Sequence, residues 1–208
     1  MTKKQCNYDP REGYNTARAQ KEYLDNQNKK ECPYQSSRVV DRDSFNEYSL
    51  IASNKPNDPL YFWQLYSLLG EQPIVGLVRD FYTRVYDDND PSNGWFKQAF
   101  TQLASKEHHI ATQAAYWIDV MGGGRYYPGG DRRLSFHHGM NAHEVMNERG
   151  AKLWMKYMRG ALESARFEDV RVKPCILDFL NDRMKKYADE FGWKHDEKDM
   201  ILYQDSDE

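Results

Sequence analysis

Cysteine is scarce. The chain of 208 residues has three, Cys6, Cys32 and Cys175, an odd and widely spaced set that argues against a disulfide framework and fits a reducing compartment. Long apolar runs are missing too. None approaches the ~20 residues that cross a bilayer, and the stretch from Met1 to Cys6 lacks the apolar core of a secretory signal. Asp9, Glu12 and Glu22 argue against a transit peptide, so the cytoplasm is the expected compartment. Neither sign of charge dominates: 29 Lys plus Arg against 32 Asp plus Glu leave a net charge of −3, with no field to draw in nucleic acid or a membrane surface. No useful length alternates with a period of two, and there are no internal repeats. There is no flavin or nicotinamide phosphate-binding fingerprint.

What remains is helical. Residues 1–60 are polar, with little apolar periodicity, and read as an N-terminal extension, disordered or wrapped on the surface. Leu65 to Gly70 suits a short helix ended by glycine, and Pro73 suits the first turn of the next. Ile74, Leu77, Val78, Phe81 and Val85 then form a helical stripe that stops at Asp87-Asp88-Asn89-Asp90-Pro91. Trp95, Phe96 and Phe100 make an aromatic patch. Ser105 caps a helix with Glu107 in its first turn, striped by Ile110, Ala114, Trp117 and Met121 and ended by Gly122 to Gly124. Leu134 to His138 suits a short helix. Asn147 caps a long one, with Trp154, Met158 and Ala161 on one face. Pro174 opens the last, lined by Ile176, Leu177, Leu180, Met184 and Tyr187 up to Gly192. The expectation is an all-α chain of about six helices, ending in an acidic tail at residues 193–208.

The side chains able to carry chemistry cluster on these helices. Six histidines occur, His108, His109, His137, His138, His143 and His195. His143-Glu144 lacks the second histidine of a His-Glu-x-x-His zinc site, so a zinc protease is ruled out. His109, Gln113 and Trp117 stand at i, i+4 and i+8, on one helical face. Leu134 and His138 also share a face.

Read in order, Phe81-Tyr82-Thr83-Arg84-Val85-Tyr86-Asp87-Asp88, Met121-Gly122-Gly123, Leu134 with His138, and Trp154 with Met158 resemble a truncated haemoglobin of group II, the bacterial and plant kind. The resemblance covers about residues 61 to 190. It implies a two-over-two helical globin fold over residues 61–192 holding one b-type haem. Attachment would be non-covalent, because no Cys-x-x-Cys-His is present. Haem iron needs a neutral imidazole, and the family spacing from Gly130 through Leu134 assigns that role to His138. Gly139-Met140 stands where the family has Pro-Phe, and Asn147 lies further on than usual, so His143 and His137 stay rival ligands. The resemblance further implies that Leu134, Phe100 and Trp117 contact the haem. The distal ligand site would be built from Tyr82, His109, Gln113 and Trp154, with His109 donating to the ligand or binding iron itself. Donors at that place slow ligand loss.

The function so implied is reversible binding of dioxygen, nitric oxide or carbon monoxide, for oxygen transport or as a gas sensor. Nitric oxide dioxygenase activity with an external reductase is the enzymatic alternative. A haem-free interaction module is the third reading, which a colourless protein would favour.

Overall fold

The computed structural model describes Thr16 and residues 18–20, 49–124 and 144–195. Leu134, His137, His138 and His143 lie outside the described residues, as do Cys6 and Cys32. Among the described residues there is no strand, and no helix is long and apolar enough to cross a membrane.

A 3-10 turn at Phe62–Gln64 leads into α1, Leu65–Leu69. Gly70, at φ 65, ends it. The long helix α2, Glu71–Asp87, starts at once, with Pro73 in the first turn, where the missing amide has no intrahelical partner to lose. The stripe Ile74, Leu77, Val78, Phe81 and Val85 is buried as expected, each at 3% exposure or less. A second 3-10 turn, Pro91–Asn93, precedes α3, Gly94–Thr101. The aromatic patch is therefore a helix, which eight residues are too few to announce by periodicity.

Ser105 caps α4, Lys106–Ile118, accepting the His108 amide at 3.2 Å. This helix does not simply stop at its glycines. It widens into a π turn, Asp119–Gly123, inside which Gly122 takes φ 92. Asn147 caps α5, Glu148–Ser164, accepting the Gly150 amide at 3.0 Å. The last helix, α6, Val172–Phe191, ends at left-handed Gly192. Helix α2 is the hub: it packs on α4 and on α5.

Residues 49–58 are tied to this body. Gln64, fully buried, accepts the Tyr61 amide at 3.1 Å and donates to the Ser49 carbonyl at 3.0 Å. Arg171, just before α6, donates to the carbonyls of Ser53, Lys55 and Asp58 at 2.9 to 3.0 Å, and its guanidinium meets Asp169 at 2.6 Å. Arg171→Ala strips charged donors from three carbonyls at once. It is expected to cost about 2–3 kcal/mol, read as a lower urea midpoint with faster proteolysis near residue 55; an unchanged midpoint would contradict the clamp.

The same clamp gives a pH dependence. The hydrogen bond from Arg171 holds the Asp169 carboxyl below its ordinary range, and the Tyr157 hydroxyl does the same for Asp88. A carboxyl lowered in the folded state adds stability above its unfolded range, which is lost as pH falls through the folded value. Stability should therefore drop below about pH 4, and Asp169→Asn should shrink the drop between neutral and acid urea midpoints.

Candidate functional site

The inner faces of α2 and α4 meet at Tyr82. Its ring, 4% exposed, lies on the His109 imidazole with centroids 5.4 Å apart and planes 18° from parallel. Phe100, from the end of α3, meets Tyr82 edge-on at 6.0 Å and His109 edge-on at 5.6 Å. Phe81, fully buried, touches both Tyr82, at 4.9 Å, and Trp154 of α5, at 4.8 Å. Side chains from α2, α4 and the end of α3 thus meet at one phenol, and α5 reaches it through Phe81. Each helix contributes because its apolar stripe must be buried, and Tyr82 rides beside Phe81 on the best-buried one.

His109 is tethered. Its Nε2 lies 3.0 Å from the Phe100 carbonyl. A carbonyl only accepts, so Nε2 carries the proton and donates. The bond joins the start of α4 to the end of α3. Ligation of iron through Nε2 would require breaking it.

The other sequence candidates fall around this centre. Gln113, one turn beyond His109, is buried at 8% exposure. Trp117, at 1%, packs edge-on against Phe62 at 6.3 Å. Tyr82, His109 and Phe100 are brought into direct contact, Trp154 joins through Phe81, and Trp117 stands in the core beyond them. Leu134 and His138 lie outside the described residues. Two contributors were missed. Phe81 is the link between Tyr82 and Trp154. Tyr86, one turn after Tyr82, approaches His109 at 6.3 Å and donates to the Ala104 carbonyl at 3.0 Å. The i, i+4 step from Tyr82 to Tyr86 was the available signal. Burial, then the charge of Glu107, pushes the Tyr86 phenol up, so it stays protonated at neutral pH.

The residues present fit a flat apolar group. Phe81, Phe96 and Trp117 are closed in, at 0%, 2% and 1% exposure, whereas Phe100, His109 and Trp154 are only partly buried. Phe100 and His109 beside Tyr82, and Trp154 beside Phe81, are partly exposed rings of the kind on which a porphyrin face could stack. No group of three or more metal-ligating side chains occurs among the described residues. Burial pushes the Cys175 thiol up to about 12, and its Sγ lies 3.5 Å from the Leu60 carbonyl.

The model of the bacterial-like globin family matches residues 64–186. This is more than half of the chain, and the chain belongs to that family. It is similar to the "Two-on-two hemoglobin-3" of Arabidopsis thaliana, at 30% identity over 118 residues, which is 56% of this chain and 63% of that protein. It is equally similar to the "Group 2 truncated hemoglobin 3-1" of Lotus japonicus, at 30% over 118 residues, 56% of this chain and 66% of that one. The chain spans just under two thirds of the length of either relative. The all-α globin fold and the likeness to group II truncated haemoglobins, both expected from the sequence, are borne out.

Proposed function

We propose that the chain is a haem protein that reversibly binds dioxygen and related diatomic gases such as nitric oxide and carbon monoxide. The observation that carries this reading is the buried tyrosine, Tyr82, whose ring is held between His109 and Phe100, in a chain of the globin family. A b-type haem, when bound, would supply an iron that takes the gas. Phe100, Trp117 and Leu134 would hold it, and His138 would be the protein's ligand to the metal, with His143 and His137 as the rivals. Tyr82 would donate to the negative outer atom of the gas ligand, with Gln113 and the Trp154 N–H as further donors. His109, while bonded to Phe100, acts by fixing Tyr82 in place rather than by ligating iron. The working division is an extension over 1–60, a globin domain over 61–192 and a tail over 193–208, in the cytoplasm.

Haem titration of the full chain, followed by reduction and carbon monoxide, tests this. One haem per chain and a carbon monoxide difference spectrum are expected. A chain that stays colourless would overturn the reading in favour of a haem-free interaction module.

A second reading uses the same site. Donors that hold dioxygen tightly suit its reaction with nitric oxide, in which one nitric oxide, one dioxygen and one electron give nitrate, better than they suit delivery. Sustained nitrate formation with a separate reductase would establish it, and binding without turnover would exclude it.

A further inference from the structure

The end of α4 is where two distant parts of the chain meet. A helix end leaves its last carbonyls short of amide donors, and here Gly122, at φ 92, breaks the ladder inside the π turn Asp119–Gly123. On one side the backbone of Trp63 presses against the turn, with its carbonyl oxygen 2.1 Å from where a Cβ on Gly122 would stand. On another, a residue more than a hundred positions away reaches it. Thr16 is fully buried, and its hydroxyl donates to the Asp119 carbonyl at 2.5 Å. Ala19 and Gln20, at 7% and 4% exposure, are buried with it, while Arg18 is exposed. The step from 16 to 19 and 20 is i, i+3, i+4, one face of a helical turn.

Asp119 is itself buried, at 1% exposure, so its carbonyl cannot replace a lost donor with water at no cost. Upstream of it, α4 carries Trp117, Gln113 and His109. Downstream, after Gly124, comes the segment with Leu134 and His138. Whatever fixes this turn fixes the end of the helix that carries His109, Gln113 and Trp117.

We propose that Thr16 is a positioning residue: the short stretch bearing Thr16, Ala19 and Gln20 is a strap that pins the end of α4, and the placement of Gln113, and of Tyr82 through His109, around a gas ligand depends on it. The functional half rests on the gas-binding reading; the strap itself does not. It follows that part of the polar N-terminal extension belongs to the scaffold of the site, and that lifting the strap would retune gas binding from outside the globin helices.

The test uses the full chain with Thr16→Val, which keeps the shape and removes the donor, and Thr16→Ser, which keeps the donor. With no haem added, amide hydrogen exchange over residues 120–124 should be about three- to tenfold faster in Thr16→Val and near the unmodified rate in Thr16→Ser. With haem and carbon monoxide, the C–O stretching band, which responds to nearby donors, should shift or broaden in Thr16→Val and be restored in Thr16→Ser. Equal exchange in both variants would overturn the strap. Faster exchange with an unmoved C–O band would overturn the positioning role and leave a purely structural contact. A chain that takes up no haem would overturn the gas-binding reading, and the exchange rates would still decide the strap.

Discussion

Tyr82→Phe should speed dioxygen dissociation by roughly ten- to a hundredfold, the range of one hydrogen bond to a charged partner. The ring of Tyr82 has three aromatic neighbours. Phe81 and Phe100 meet it edge-on, and His109 stacks on its face. Phenylalanine keeps all three ring contacts and removes the hydroxyl. Faster oxidation of the iron should accompany the faster loss. Stopped-flow displacement of dioxygen by carbon monoxide measures the rate. An unchanged rate would mean that the hydroxyl does not face the ligand, whatever the fold.

Gly122→Ala should destabilise the protein by about 3–5 kcal/mol, within the range of the severest single substitutions. Two costs combine. At φ 92 any Cβ is strained, and here the added atom would meet the Trp63 carbonyl oxygen at 2.1 Å and a Leu50 methyl at 3.3 Å. The oxygen belongs to the backbone of the 3-10 turn and cannot swing away. Gly76→Ala is the matched control, since it lies inside α2 with nothing within 4 Å of the new Cβ. It should instead stabilise by about 0.5–1 kcal/mol through helix propensity. Thermal melts of both variants check the pair. A Gly122→Ala melt close to that of Gly76→Ala would show that the π turn is not the rigid junction described.

These outcomes bear on how much the chain discloses unaided. The stripe from Ile74 to Val85, the caps Ser105 and Asn147 and the stop at Gly70 were legible, because each is a local preference written in adjacent residues. Helix α3 was not, since Gly94–Thr101 is too short for a period to show. Tyr82, Gln113 and Trp154 could be singled out by their order relative to Phe81, Gly122 and Asn147. The tether from His109 to the Phe100 carbonyl could not, because it exists only once the start of α4 meets the end of α3. The same holds for Arg171, which collects carbonyls from residues 53, 55 and 58, and for Thr16. A polar composition reads as an extension, yet a single hydroxyl meeting a helix end leaves no periodic trace.

The central claim is that one histidine of this chain holds a haem iron, and the optical spectrum of haem-supplied protein tests it most directly. Wild type and His138→Ala should be recorded ferric and ferrous, with and without carbon monoxide. A histidine-ligated spectrum in the wild type that is lost in His138→Ala is the predicted result. A mutant spectrum identical to that of the wild type would contradict the assignment of His138 and move the ligand to His143 or His137, and a wild type that takes up no haem would contradict the gas-binding function itself.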